Sequence, residues 1–217
     1  MDAAQLTIKD PLNLQRFRSL PKIESDHILF LGDCYAAGMV VDENRAYAHV
    51  MAKSLGLVER RHGYLNNYEM FDLLGQVDIE PGASVILQFT ELGRLCVYNK
   101  NTNSFDNRIL DQLDSACYNE VYTDEILISE VLRHLTMFVK YARQQQIRLV
   151  IWSIMRFKDQ QFNDMFEGYL NQYPEYVYID GMQHYQVDLG YDNIHPGPGS
   201  HAIIADMLLA HYQKLYT

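Results

Sequence analysis

Alternation is the feature that most constrains this chain. Short apolar runs of strand length recur between longer stretches with helical spacing. His27–Leu31 is the first such run. It is followed by Ala36–Leu55, where Met39, Val40, Ala46, Val50, Met51 and Leu55 fall near one helical face and Gly56 supplies a stop. Leu57–Arg60 reads as a second strand, ahead of a loop at His62-Gly63-Tyr64-Leu65-Asn66-Asn67 and a short helix over Tyr68–Leu74. Pro81-Gly82 introduces a buried-type strand ending at Phe89. Thr123–Gln146 is the clearest amphipathic helix, with Thr123 as its N-cap and Asp124 and Glu125 in the first turn. A strand over Ile147–Ile154, a helix over Gln160–Tyr173, a strand over Tyr176–Ile179 and a last helix from about Gly199 complete the series. This order predicts an α/β fold, a three-layer α/β/α sandwich on a flavodoxin-like, mostly parallel five-stranded sheet.

The chain of 217 residues fits a single domain, with residues 1–26 as an N-terminal arm and the Asn-rich stretch 93–121 as an insertion of no clear period. A net charge of -10 argues against nucleic acid as a partner, because phosphate binding needs clustered Lys and Arg. Cys34, Cys96 and Cys117 are too far apart for a CxxC metal or redox motif and are odd in number, which points to a reducing, cytoplasmic setting. Cys96 and Cys117 read as small core residues. No apolar run approaches the length of a membrane span, and no signal-peptide pattern opens the chain.

Two stretches carry chemistry. Gly32-Asp33-Cys34 closes the first strand and puts a thiol on a tight strand-to-helix turn, where backbone N–H groups and the positive end of a helix dipole gather. Asp192-Asn193-Ile194-His195-Pro196 precedes the last helix, so in a parallel sheet both stretches lie at the carboxyl edge where ligands bind. A thiol, an imidazole to take its proton and a carboxylate to orient the imidazole make up a nucleophilic set. A cysteine so placed is expected to hold more thiolate than usual at neutral pH.

These stretches resemble the SGNH/GDSL hydrolases. Gly32-Asp33-Cys34 is similar to that family's Gly-Asp-Ser block with cysteine at the serine position. Asp192-Asn193-Ile194-His195-Pro196 matches its Asp-x-x-His-Pro block, and His201-Ala202-Ile203-Ile204-Ala205 resembles the helix that follows. Gly32-Asp33-Cys34-Tyr35-Ala36 also resembles the Gly-Ser-Cys-Phe-Ala signature of a related group. The resemblance implies Cys34 as nucleophile, His195 as general base and Asp192 as its orienting acid. It further implies an oxyanion hole from the Cys34 N–H, a glycine after strand two, for which Gly63 is the candidate, and an asparagine after strand three.

That last position falls on Glu91, in Phe89-Thr90-Glu91-Leu92. An ionised carboxylate cannot donate to an oxyanion, and loss of one such donor typically costs roughly 3–4 kcal/mol. Three readings stand: Glu91 is protonated; or Thr90, Asn66 or Asn67 donates instead; or the reaction is not ordinary ester hydrolysis. Cysteine for serine adds weight to the third, since a thioester intermediate is readily intercepted by an amine or thiol. The expected substrate is a small acyl ester or a carrier-linked thioester, with no cofactor and no metal. Tyr35 and Tyr64 are candidates to line an acyl or aromatic pocket. His62 and His184 are loop histidines without a defined role, and His184, Asp188, Asp192 and His195 match no metal-ligand spacing. A catalytically inactive binding protein on the same fold is the competing reading. A mononucleotide binder is disfavoured because the first turn lacks a phosphate loop.

Overall fold

In a computed structural model, the described residues are 22–63, 65, 67–89, 94–99, 104–109, 124–153, 160–178, 186–193 and 195–217. The strands among the described residues are β1 (His27–Leu31), β2 (Val58–His62), β3 (Ser84–Phe89), β4 (Arg94–Asn99), β5 (Ser104–Ile109), β6 (Arg148–Ser153) and β7 (Tyr176–Tyr178). The helices are α1 (Cys34–Ala37), α2 (Tyr47–Leu55), α3 (Asn67–Gln76), α4 (Asp124–Gln144), α5 (Gln160–Leu170) and α6 (Pro198–Tyr216), with a 3-10 turn at Glu43–Arg45.

Five strands form one sheet in the order β2-β1-β3-β6-β7, and every pairing in it is parallel. Alternation along each strand sorts the side chains into two layers. Leu29, Leu31, Val85, Leu87, Phe89, Leu149 and Ile151 face a core shared with α3, α4 and α5. Ile28, Phe30, Ile86, Val150 and Trp152 face a second core with α1, α2 and α6. The predicted three-layer α/β/α sandwich is therefore the fold. Strand β2, rich in charge at Glu59, Arg60 and Arg61, lies at the sheet edge, where charged side chains discourage pairing with other chains.

The continuous helix expected over Ala36–Leu55 is instead two helices. Gly38 ends α1 in the left-handed conformation (φ 69°), its N–H meeting the carbonyls of Cys34 and Tyr35. Val40 follows at φ 61°, a conformation unfavourable for a β-branched residue, and Ala46 is extended before α2 begins. Apolar spacing carried the helical reading through this break, where Val41 is buried from irregular backbone and Val40 is half-buried. The stretch read as having no period contains an antiparallel strand pair, β4 against β5, which forms a separate two-stranded sheet. The Thr123 cap, Ile154, Ile179 and most of the N-terminal arm lie outside the described residues.

Candidate active site

Parallel pairing brings the carboxyl ends of all five sheet strands to one edge, and there β1 stops at the nucleophile turn. The Gly32 N–H donates to the His62 carbonyl (3.1 Å), and the Gly32 carbonyl accepts from the Leu65 N–H (3.0 Å), so the turn is tied to the end of β2 on both sides. Asp33 is buried and caps α1, its Oδ1 accepting from the Tyr35 N–H at 2.9 Å. Cys34 is the first residue of α1, half-buried and not part of a disulfide. Gly63 sits against this helix. A Cβ at Gly63 would stand 2.5 Å from the Ala37 backbone nitrogen and 2.6 Å from its Cα, so only glycine permits the approach. Asn67, buried at the start of α3, lies two residues beyond Leu65.

The second stretch folds as a tight hairpin closed by an antiparallel bridge between Leu189 and Pro196. Within it the Gly190 N–H donates to the His195 carbonyl (2.8 Å) and the Asn193 N–H to the Gly190 carbonyl (3.1 Å), with Asn193 at φ 56°. Asp192 holds His195 twice, at 3.0 Å from Oδ1 to the backbone N–H and at 2.6 Å from Oδ2 to Nδ1. An ionised carboxylate only accepts, so Nδ1 carries the proton and Nε2 is the basic nitrogen.

Asp188 fixes the hairpin to α6. Its carboxylate accepts from the N–H groups of Gly199 and Ser200, both at 2.8 Å, and from the Ser200 hydroxyl. Burial opposes ionisation of Asp188, but these donors outweigh it and hold the carboxyl below the usual range. Asp188 is thus a cap on the first turn of α6. One turn on, His201 is buried, its Nδ1 accepting from the Tyr47 N–H at 3.2 Å and its ring stacked on Tyr47 and tilted against Tyr35. Burial lowers its pKa to about 4, so it is neutral at physiological pH. Tyr35, read as a pocket residue, is instead 7% exposed and packs on His201 inside the core.

The hairpin that carries Asp192 and His195 touches the segment that follows α1. The Tyr191 N–H donates to the Val40 carbonyl (3.4 Å), the Tyr191 hydroxyl donates to Asp42 Oδ1 (2.7 Å), and Gly190 lies directly on Val40. Val40 itself is the third residue after α1. Thr90, Glu91, Tyr64, Asn66 and His184 lie outside the described residues. Sequence reasoning missed the Val40–Gly190 contact and the cap at Asp188; the Asp188 to Ser200 spacing around the His-Pro block was the available signal for the latter. Among the described residues, the one group with metal-ligand spacing is Glu24, Asp26 and His27, at the amino end of β1 and so at the opposite edge. Among those residues, too, no helix is long and apolar enough to cross a membrane.

The all-parallel five-stranded sheet between two helical layers is similar in fold to solved esterases. The psychrotrophic esterase EstA from a Pseudoalteromonas species superposes with a TM-score of 0.53 at 13% identity, over 88% of this chain and 98% of that one. TesA superposes with a TM-score of 0.53 at 12% identity, over 87% and 99%. A carbohydrate esterase whose active site is described as having divergent catalytic and non-catalytic binding functions gives 0.52 at 14% identity, over 90% and 67%. No protein-family model matches the sequence, and no curated protein matches it.

Proposed function

We propose that this protein is an acyl hydrolase or acyltransferase that works through a thioester on Cys34. The observation that carries this reading is the 2.6 Å contact between His195 Nδ1 and Asp192 Oδ2, on a hairpin seated against the chain that leaves the Cys34 helix. The esterase folds it shares support a hydrolase-type reaction on small ester substrates.

In this mechanism His195 Nε2 takes the thiol proton, and the Cys34 sulfur attacks the acyl carbonyl carbon. The imidazolium that forms is stabilised by Asp192, which stays ionised. The tetrahedral oxyanion sits against the Cys34 N–H and the N–H of Gly63, which the packing on Ala37 keeps close to α1. Collapse breaks the bond to the leaving oxygen or sulfur, which takes the proton from His195, and leaves the acyl group on sulfur. Water, an amine or a thiol then attacks the thioester with His195 as base, restoring the thiol. By the resemblance, the third oxyanion position falls on Glu91 in the sequence, with Thr90, Asn66 or Asn67 as the donor in its stead.

Release of p-nitrophenol from p-nitrophenyl acetate, with and without an added amine acceptor, tests the proposal. Turnover is expected in the wild type and lost in Cys34→Ala and His195→Ala proteins that keep the wild-type circular dichroism. Turnover surviving in Cys34→Ala would overturn it. A binding protein without catalysis is the second reading, favoured by the carboxylate at Glu91; it predicts no turnover in the wild type or in Glu91→Asn.

A further inference from the structure

Tyr191, one residue before Asp192, joins the base hairpin to the segment that follows α1. Its N–H reaches the Val40 carbonyl at 3.4 Å, beyond the usual range, whereas its hydroxyl donates to Asp42 Oδ1 at 2.7 Å. A bond from a hydroxyl to an ionised carboxylate is among the stronger kinds, and its short length reflects this. The hydroxyl is therefore the firmer of the two polar tethers. Packing does not account for the ring, since Tyr191 is 72% exposed. Capping does not account for the acid: Asp42 stands ahead of the 3-10 turn Glu43–Arg45, and its side chain makes no capping hydrogen bond. Gly190 against Val40 limits how close the hairpin comes. Such a steric stop does nothing to keep the hairpin from moving away.

The segment that receives Tyr191 is itself fixed to the sheet. Arg61 of β2 pairs with Glu43 at 2.9 Å and with Glu59 at 3.2 Å. A Cβ on Gly38, which ends α1, would stand 2.9 Å from Arg61 Nη1, so Arg61 lies against the end of the Cys34 helix. One line of contacts thus runs from the end of α1 through Arg61 and Glu43 to the adjacent Asp42, and on through Tyr191 to the Asp192–His195 pair. Cys34 and His195 come from opposite ends of the chain, and proton transfer between them requires hydrogen-bond reach. We propose that Tyr191 and Asp42 form a clip, with Tyr191 a positioning residue that keeps His195 within reach of the Cys34 sulfur. The clip acts through the residue next to Asp192, and neither of its side chains takes part in the proton transfer. This inference rests on the reading of Cys34 as nucleophile and His195 as its base.

The rate at which iodoacetamide alkylates Cys34 at pH 7, read on the Cys34 peptide by mass spectrometry, tests the clip without any acyl substrate. That rate follows the thiolate fraction, which His195 raises when it is held close. Tyr191→Phe is expected to slow alkylation roughly three- to ten-fold through a smaller thiolate fraction. Asp42→Ala is expected to slow it equally, and the double variant no further, because each change removes the same bond. Asp42→Asn keeps an acceptor for the hydroxyl and is expected to hold the rate within about two-fold of wild type. In a His195→Ala background Tyr191→Phe is expected to change nothing, an outcome that general loosening of the fold would not give. A wild-type rate in Tyr191→Phe, additive losses in the double variant, or an undiminished effect of Tyr191→Phe in His195→Ala would overturn the clip. Tyr191 and Asp42 are both exposed, so these variants are expected to keep the wild-type circular dichroism. Should Tyr191→Phe fail to fold, a wild-type rate in Asp42→Ala would overturn the clip in its place. Equal rates in the wild type and His195→Ala would overturn the proposed function together with the clip, whereas unequal rates there with a wild-type rate in Tyr191→Phe count against the clip alone.

Discussion

Gly190 lies so close to Val40 that a Cβ built on it would stand 2.4 Å from Val40 Cγ2 and 2.8 Å from the Val40 carbonyl oxygen. The contact seats the hairpin bearing Asp192 and His195 on the segment that leaves the Cys34 helix, and it coincides with the strained φ of 61° at Val40. Gly190→Ala must push the hairpin away, because a backbone oxygen does not swing aside as a side chain can. A misplacement of about 1 Å can cost about 100-fold in rate. Turnover of p-nitrophenyl acetate by Gly190→Ala is therefore expected to fall by about two orders of magnitude, with the Asp192–His195 pair itself intact.

Gly63 presents the same situation on the other side of the turn. An added methyl group would meet backbone atoms of Ala37 at 2.5 and 2.6 Å. Gly63→Ala is expected to lower the unfolding free energy by about 1–3 kcal/mol, as overpacking does. The urea midpoint measures this, and an unchanged midpoint would show that β2 and α1 separate freely.

Asp192 acts through the tautomer of His195. Asp192→Asn removes the acceptor that keeps the proton on Nδ1, and in a comparable triad this exchange costs about 10⁴ in turnover. A loss on the order of 10²–10⁴ in kcat, with little change in KM, is the expected outcome. An effect confined to KM would place Asp192 in substrate binding instead.

His201 makes folding sensitive to mild acid. Its folded pKa of about 4 lies below the unfolded value of 6.5. Between these values the unfolded chain binds a proton that the folded chain refuses, so stability is full above pH 6.5 and falls as pH drops towards 4. At 1.36 kcal/mol per pKa unit, the loss is about 3 kcal/mol. Asp188 contributes in a lower window. Its folded pKa is lowered from 3.8, so its stabilisation is present above that value and is lost as pH falls through the folded pKa. Unfolding free energies of the wild type and His201→Phe, compared from pH 7 to pH 4, check this: the substitution is expected to flatten the slope between pH 6.5 and 4.

Glu91→Asn restores an amide where the resemblance expects an oxyanion donor. Esterase activity is expected to rise by up to about 10²-fold, within the range one such donor supplies. Unchanged activity would place Glu91 outside the oxyanion hole.

Much of this architecture was legible in the sequence because parallel strands buried on both faces read as continuous apolar runs. His27–Leu31 and Ser84–Phe89 are of that kind. The pairing of Asp192 with His195 was expected too, from the resemblance of Asp192-Asn193-Ile194-His195-Pro196 to an Asp-x-x-His-Pro block. The break between α1 and α2 was not. It depends on Val40 adopting a backbone conformation that its side chain disfavours, held by Gly190 150 positions along the chain, and no local pattern encodes a partner so remote.

The central claim, an acyl group carried on the Cys34 sulfur, is tested most directly by mass spectrometry of protein quenched in acid after brief exposure to a short-chain acyl thioester. The account predicts one added acyl group on the peptide containing Cys34, removed by hydroxylamine and absent from Cys34→Ala. Thioester cleavage by the wild type with no adduct on Cys34, and undiminished cleavage by Cys34→Ala, would contradict it.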